Sequence, residues 1–392
     1  MGSIITLGIE QLDIDWAKNC LGRNHSGLFL PEDLKEATYY YAENHREKRP
    51  AYVRKLRSIK KRLELLGYSL NECRKKYSEL TAHSEFEQRP PFKFEALAKG
   101  LSSVEVLRFG TVDDPLSSDL WRCVVADPDD FEFGRDMSGF DYESERFFCT
   151  LDPYIVLRLL AENPTNLDLE VAWRFSDLAQ GGWVDESYLY EALPASKRFL
   201  LVTEGSSDTN ILKRSLEIVE PEAADFFEFV DMAENYPFTG TGNVVRFCEG
   251  LTKINIQNRV LVVLDNDTAG CSAARRLAKR NLPKQIRVML LPKLEKCRQI
   301  RTLGPSGESF EDVNGRATSI EAFLDFNYGG LPLPTVRWTS YDKEQDAYQG
   351  ELIAKEDYVR AFFAGAGKSG YDMSLLEHVW RNILSQCSAD WR

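Results

Sequence analysis

The sequence has few of the residues on which several classes of site depend. It contains four histidines, and its eight cysteines include no CxxC pair, so neither a zinc site nor a Cys–His catalytic pair is expected. It has no run of about eighteen apolar residues, the length that a membrane-spanning helix needs. Acidic residues appear by Glu10, without a basic and apolar leader before them. We therefore expect a cytoplasmic protein with free thiols, no secretory signal and no membrane contact.

The sequence also lacks a surplus of positive charge. It has 49 Lys and Arg against 61 Asp and Glu, a net charge of −12, so contact with nucleic acid requires a local basic patch or bound cations. The most basic segment, residues 46–76, holds twelve Lys or Arg and three Glu. Five of these cations are predicted to contact phosphates, with a solvated helix face as the plainer alternative. They are Arg54, Lys55, Arg57, Lys60 and Lys61.

A chain of 392 residues exceeds what one hydrophobic core usually serves, so two or three domains are expected. Changes of pattern place an N-terminal domain at 1–193, a second domain at 194–330 and a short helical segment at 331–392. The N-terminal domain is predicted to be a mainly helical α+β structure. Short strands are expected within 3–14, and helical patterns run from 31 to about 77, most clearly over 51–66.

From residue 197 onward, strand-like and helix-like segments alternate. Helical segments separate four apolar runs, KRFLLVTEG, DFFEFVDM, NRVLVVLD and QIRVMLLP. Strands that are apolar on both faces and alternate with helices indicate a parallel sheet covered on both sides. The predicted fold class is therefore α/β, a doubly wound parallel sheet.

Carboxylates follow the first and third of these strands. Glu204 and Asp208 follow the first, and Asp265 and Asp267, two residues apart, point to the same side after the third. Because ligands bind at the carboxyl ends of parallel strands, these acids are expected to meet there. Carboxylates that converge raise one another's pKa unless a cation neutralises them, and hard oxygen ligands favour Mg²⁺ or Mn²⁺. The plainer alternative is that single acids only cap helices.

The pattern Glu-Gly-x-x-Asp on the first strand, followed by Asp-x-Asp-x-x-Gly on the third, resembles the Toprim domain of topoisomerases, primases and OLD-type nucleases. Within that group the sequence is most similar to OLD-type nucleases, whose third motif is matched by Ser319-Ile320-Glu321. The resemblance implies two metal ions, held by Glu204, Asp208, Asp265, Asp267 and Glu321.

The same resemblance implies catalytic roles. Glu204, Asp265 and Asp267 are expected to act in catalysis, and Glu204 is alternatively a general base. OLD-type nucleases also use a downstream lysine to stabilise charge. Lys355 is the candidate here, with Lys368 and Lys293 as alternatives.

A second resemblance covers other parts of the chain. The opening LGIEQLDIDWAKN, the following HSGLF and the late segment VRWTSYDKEQDAYQGEL resemble the HEPN/Toprim-associated proteins of bacteria, which implies a role in anti-phage defence. HEPN ribonucleases carry an arginine and a histidine at a characteristic spacing, and none of the four histidines has an arginine at that spacing. A HEPN-type ribonuclease centre is therefore not expected.

Together these patterns predict a metal-dependent endonuclease that hydrolyses phosphodiester bonds, in DNA rather than RNA, within a defence system. The expected partners are nucleic acid, a second protein of that system and another copy of the chain. Two alternatives stay open: a toxin that cleaves RNA or transfer RNA, and a non-catalytic Toprim subunit that binds an ion or a nucleotide. The prediction depends on carboxylates that lie together with room for a cation among them.

Overall fold

The computed structural model describes residues 3–42, 45–82, 93–108, 147–148, 150–185, 189–230, 241–343 and 345–391. The chain divides into two compact units, Met1–Leu193 and Pro194–Arg392. Residues 331–392 therefore belong to the second unit. Among the described residues, no helix has both the length and the apolar character needed to cross a membrane.

The first unit is built on a five-stranded antiparallel sheet with the order β2-β1-β5-β4-β3. Its strands are β1 (Ile4–Ile9), β2 (Leu12–Lys18), β3 (Leu34–Ala42), β4 (His45–Lys55) and β5 (Glu170–Arg174). Its described helices are α1 (Leu56–Leu65), α2 (Leu70–Ala82), α3 (Phe94–Ser103), α4 (Pro153–Leu160) and α5 (Ser176–Gln180). Apolar residues of the sheet and the helices form one core.

The prediction of a mainly helical N-terminal domain is wrong, since the region is rich in sheet. Residues 34–55, predicted to be helical, form the antiparallel pair β3 and β4, and the helix begins only at Leu56. Val53 lies in β4 and pairs with Ala172 of β5, whereas Ile59 and Leu63 do face the core from α1. A short apolar spacing fits both a helix and a buried strand, and here pairing with a distant strand decides.

The second unit contains the predicted parallel sheet, in the order β10-β8-β6-β7. Its strands are β6 (Phe199–Val202), β7 (Phe227–Val230), β8 (Arg259–Leu264) and β10 (Ile286–Leu290). Three helices connect them in the chain: α6 (Ser206–Val219), α7 (Thr241–Lys253) and α8 (Thr268–Ala278).

Helices pack on both faces of this sheet. Val202 and Val260 share one core with residues of α7 and α8. On the opposite face, the ring of Phe227 contacts Trp380 of the helix α10 (Ser374–Ser388), and the indole N–H of Trp380 donates to Ser215 of α6 at 2.8 Å. Because side chains alternate along a strand, near-continuous apolar runs supply both cores.

The rest of the second unit is not only helical, contrary to the prediction for 331–392. A second four-stranded sheet has the order β12-β11-β14-β15. Its strands are β11 (Ile300–Gly304), β12 (Gly307–Glu311), β14 (Thr335–Asp342) and β15 (Ala347–Leu352). Helix α9 (Lys355–Gly365) precedes α10, and a short antiparallel pair joins β9 (Asn266–Asp267) to β13 (Ala317–Thr318).

Candidate active site

Two adjacent strand ends begin the site. Val202 of β6 pairs with Val262 of β8 in parallel register, so both strands end at the same edge of the sheet. Glu204 lies two residues past the end of β6, and Asp265 directly follows β8. The Asp265 backbone N–H donates to the Glu204 carboxylate at 3.1 Å. The first and third strand motifs are therefore in direct contact.

Two further acids cap the helices that follow these strands. Asp208 accepts a hydrogen bond from the Gly205 backbone N–H at 3.0 Å, and Asp267 accepts one from the Gly270 N–H at 2.7 Å. Capping, the plainer alternative, thus describes both residues. Capping also holds each carboxylate at the sheet edge, so it does not exclude a second role.

The short β9–β13 pair brings in the third motif. It pairs Asn266 with Thr318, and the next residues then lie beside β8. The Ile320 backbone N–H donates to Asp265 at 3.1 Å. Glu321 is buried, and its two oxygens accept hydrogen bonds from the Ser319 hydroxyl at 2.6 Å and the Ser207 hydroxyl at 3.4 Å. Three motifs that are distant in the sequence therefore share one edge.

The carboxylates of this acidic cluster, Glu204, Asp208, Asp265, Asp267 and Glu321, act on one another electrostatically. Burial, followed by the charge of Asp267, raises the pKa of Glu204 to about 8. Burial, followed by the charge of Glu321, raises the pKa of Asp208 to about 7. Burial and the charges of Asp208 and Glu204 hold the pKa of Asp265 well above its ordinary value. Without a cation, the cluster therefore retains protons near neutral pH.

Lys355 lies within electrostatic reach of the cluster. It is the first residue of α9, and its charge lowers the pKa of Asp208 against the stronger effects of burial and Glu321. The lysine is exposed at the surface. It is the one of the three candidate lysines whose charge is seen to act on Asp208.

Arg275 and Lys293 border the acidic cluster on another side. Arg275 lies two turns after Asp267 on α8, and Lys293 follows the end of β10, which is the neighbour of β8. Both lower the pKa of the Cys271 thiol, which burial and the charge of Asp267 raise. Both side chains are exposed and form no ion pair within the described part of the chain. They offer positive charge close to the carboxylates.

The oxygen donors of the cluster suit a hard divalent cation, although they are not gathered around one point. Glu204, Asp208 and Asp265 each accept one hydrogen bond and keep one oxygen without a donor from the described residues. Carboxylate oxygens are the ligands that Mg²⁺ and Mn²⁺ prefer. Yet no group of three or more His, Cys, Asp or Glu side chains in the described ranges is arranged to hold a metal ion. Coordination would require side-chain rotation, and the metal site stays a prediction.

The N-terminus of α8 is not open to a phosphate, contrary to an expectation from the strand–helix pattern that its first N–H groups bind one. The Ala269 N–H donates to the Gln349 side chain at 3.0 Å, and the Gly270 N–H donates to Asp267. The Gln349 amide also donates to Asp267 at 2.6 Å. Sequence reasoning missed Gln349, whose only signal was its place in the segment VRWTSYDKEQDAYQGEL.

The predicted phosphate contacts of the basic segment lie in the first unit, and most of these cations have acidic partners. Arg54 is buried and pairs with Asp33 at 2.8 Å, so its guanidinium is not available to a phosphate. Three of the others form ion pairs, Lys55 and Arg57 with Asp168 and Lys60 with Glu162, and Lys61 is exposed. For these four the phosphate contact stays a prediction.

A polar network in the first unit surrounds the one buried histidine found in the described ranges. His25 contacts Asp15 at 3.1 Å and the Tyr154 hydroxyl at 3.2 Å. Arg23 pairs with Asp152 at 2.7 Å and stacks over the Tyr154 ring. Burial lowers the pKa of His25 more than Asp15 raises it. Both ring nitrogens are occupied by protein partners, as expected for a structural histidine.

Comparison with known proteins identifies the family. Residues 1–197 match the family described as HEPN/Toprim N-terminal domain 1. No curated protein and no solved structure matches the chain. Because this match covers half of the 392 residues, the chain belongs to the HEPN/Toprim N-terminal domain family. Membership suggests a nuclease-type or defence-associated function.

Proposed function

We propose that the second unit is a Toprim domain of the OLD-like kind and that the protein is a metal-dependent endonuclease of bacterial anti-phage defence. The observation that carries this proposal is the meeting of five carboxylates from three separate motifs at the carboxyl edge of a parallel sheet, where ligands of such sheets bind. The raised pKa values of Glu204 and Asp208 are those of acids that a cation would stabilise. The family match supports the assignment independently.

Each acid has a distinct role in the proposed reaction. Glu204, Asp265 and Asp267 hold one Mg²⁺ or Mn²⁺, and Asp208 and Glu321 complete a site for a second. The chemistry that such ions supply is activation of water and stabilisation of the leaving oxygen. With a pKa of about 8, Glu204 is alternatively suited to take a proton from water as a general base.

Positive side chains near the cluster then act on the substrate. Lys355, beside Asp208, stabilises negative charge that develops on the phosphate. Arg275 and Lys293 contact neighbouring phosphates of the nucleic acid, and the exposed cations of residues 55–61 add affinity that does not depend on sequence. DNA is the proposed substrate, with a second defence protein and another copy of the chain as proposed partners in the cytoplasm.

Cleavage of labelled nucleic acid tests the proposal. With Mg²⁺ or Mn²⁺ present, Asp265→Ala and Glu204→Gln are expected to abolish cleavage while circular dichroism stays that of the wild type. Glu377→Gln, an exposed acid on α10, is the matched control and should cleave normally. Cleavage that survives both EDTA and the two site substitutions would contradict the assignment. Parallel assays with DNA, RNA and transfer RNA separate the endonuclease from an RNA-cleaving toxin.

A second candidate is a non-catalytic subunit that binds an ion or a nucleotide. The observation that favours it is that both oxygens of Asp267 and of Glu321 already accept hydrogen bonds from protein groups. Purified protein that binds Mg²⁺ and degrades nothing until a partner is added would support this alternative.

A further inference from the structure

The side chain of Gln349 joins β15 to the start of α8. Its carbonyl oxygen accepts from the Ala269 backbone N–H at 3.0 Å, and its amide nitrogen donates to the second oxygen of Asp267 at 2.6 Å. The first N–H groups of a helix have no partner within the helix. One residue from a separate sheet therefore both satisfies the helix end and contacts a carboxylate of the acidic cluster.

These contacts make Asp267 more tightly held than the other carboxylates at the two strand ends. Its first oxygen accepts from the Gly270 N–H at 2.7 Å, which the geometry of α8 fixes, and its second oxygen is held by Gln349. Glu204 and Asp265 each accept only one hydrogen bond. A carboxylate held at both oxygens has a fixed orientation, whereas one held at a single oxygen still rotates.

A hydrogen bond from Gln349 leaves Asp267 able to bind a cation. Each carboxylate oxygen has two lone pairs, so the oxygen that accepts from Gln349 keeps one of them for a ligand. Hydrogen-bond donors that orient ligating carboxylates commonly contribute about 10- to 100-fold to metal affinity. The contact therefore fits a role in preparing Asp267 rather than in removing it from the site.

We infer that Gln349 is a positioning residue, which orients the Asp267 carboxylate for a divalent cation through the hydrogen bond between their side chains. The inference rests on the proposed function in one respect, that a divalent cation binds at the acidic cluster. It assigns part of the site to the β14–β15 hairpin, outside the parallel sheet.

The hairpin has contacts with α8 that do not involve Gln349. The Thr268 hydroxyl donates to the Tyr348 carbonyl at 3.1 Å, and the Gln345 amide donates to the Thr268 carbonyl. The β14–β15 pairing also runs from Val336 to Asp342. The hairpin should therefore stay docked when the Gln349 amide is removed, and Gln345 offers a matched control on the same hairpin.

Calorimetric titration of the full chain with Mn²⁺ tests this role. Gln349→Met keeps the length of the side chain without its donor and acceptor, and should raise the dissociation constant for Mn²⁺ by about 10- to 100-fold. Gln345→Met should change it by less than about threefold, as expected for a residue outside the site. In an Asp267→Ala background, Gln349→Met should add no further loss, because its partner is already absent.

The outcomes distinguish this inference from the proposed function. If the wild type binds Mn²⁺ and Gln349→Met leaves its affinity unchanged or stronger, the inference is overturned and the proposed function stands. If the wild type binds no Mn²⁺, both fail. If metal-free Gln349→Met unfolds at a lower temperature than Gln345→Met, Gln349→Asn replaces it. That variant keeps an amide but is too short to reach Asp267, and the same weakening is expected.

Discussion

The carboxylates of the acidic cluster behave as a group, because each one changes the charge state of its neighbours. Asp265 accepts from the Ile320 N–H, yet its pKa stays well above the ordinary value because burial and nearby carboxylates oppose ionisation. One hydrogen bond does not offset burial and several like charges together. The cluster thus lowers the stability of the fold at the pH where it is ready to bind a cation.

This arrangement predicts an unusual dependence of stability on pH. A carboxyl group with a raised pKa stabilises the fold fully below its unfolded value, near 4, and that contribution is lost as the pH rises through about 7 to about 8. The unfolding temperature of the metal-free second unit should therefore fall between about pH 5 and pH 8.5. The change in free energy of unfolding is on the order of a few kcal/mol, since one pKa unit corresponds to about 1.4 kcal/mol.

Thermal unfolding in EDTA measures this fall, and two variants make it specific. Asp265→Asn removes one charge from the cluster, so its unfolding temperature should fall less steeply with pH. Glu377→Gln should keep the slope of the wild type. Added Mn²⁺ should raise the wild-type unfolding temperature more at pH 8 than at pH 5.5. Equal slopes for Asp265→Asn and the wild type would show that the acids do not interact.

The turn from β8 into α8 depends on a glycine. A Cβ atom at Gly270 would lie 2.1 Å from the Asp265 carbonyl oxygen and 3.1 Å from the Glu204 carboxylate. The first of these contacts is with backbone and cannot be relieved by a side-chain rotation. The last position of the motif Asp-x-Asp-x-x-Gly is therefore required by the close approach of α8 to the two strand ends.

Gly270→Ala should consequently destabilise the second unit and disturb the cluster. The expected loss in free energy of unfolding is about 1–3 kcal/mol, as for other overpacked positions, together with weaker Mn²⁺ binding. Gly250→Ala in α7 is the matched control, because nothing lies within 4 Å of the added Cβ. It should stabilise the protein by about 0.5–1 kcal/mol, the usual gain for alanine within a helix. Equal effects of the two substitutions in urea unfolding would refute the packing argument.

At the scale of the whole molecule, the net charge of −12 repels nucleic acid, so binding depends on where unpaired cations lie. In the first unit, Lys55 and Arg57 share Asp168 as a partner. In the second unit, Arg275 and Lys293 border the acidic cluster and form no ion pair with any described residue. A phosphate therefore meets less competition at the second pair.

Charge reversal of each pair provides the test. Arg275→Glu combined with Lys293→Glu should weaken binding to a labelled DNA duplex by about tenfold or more, and should reduce the salt dependence by about two phosphate contacts. Lys55→Glu combined with Arg57→Glu should have a smaller effect. Binding by fluorescence anisotropy at several salt concentrations measures both. A larger loss from the first-unit pair would place the main contact there.

The sequence by itself determined the local parts of this protein. The apolar runs and intervening helices of 199–290 predict the parallel sheet, because strands buried on both faces need a distinctive composition. The acids and the glycine at the ends of β6 and β8 follow from the same pattern, since strand ends and helix starts are defined by neighbouring residues. These features depend on contacts within a few residues, which a single sequence records.

Only the tertiary structure decided the features that depend on distant pairing. Residues 34–55 became strands because β4 found β5 more than a hundred positions later, and no local spacing encodes that choice. The β9–β13 pair brought Ile320 and Glu321 to Asp265, and the β14–β15 hairpin brought Gln349 to Asp267. Arg54 was buried by its pairing with Asp33. Such contacts depend on which distant elements pack together, and that is settled by the free energy of the whole fold rather than by any one segment.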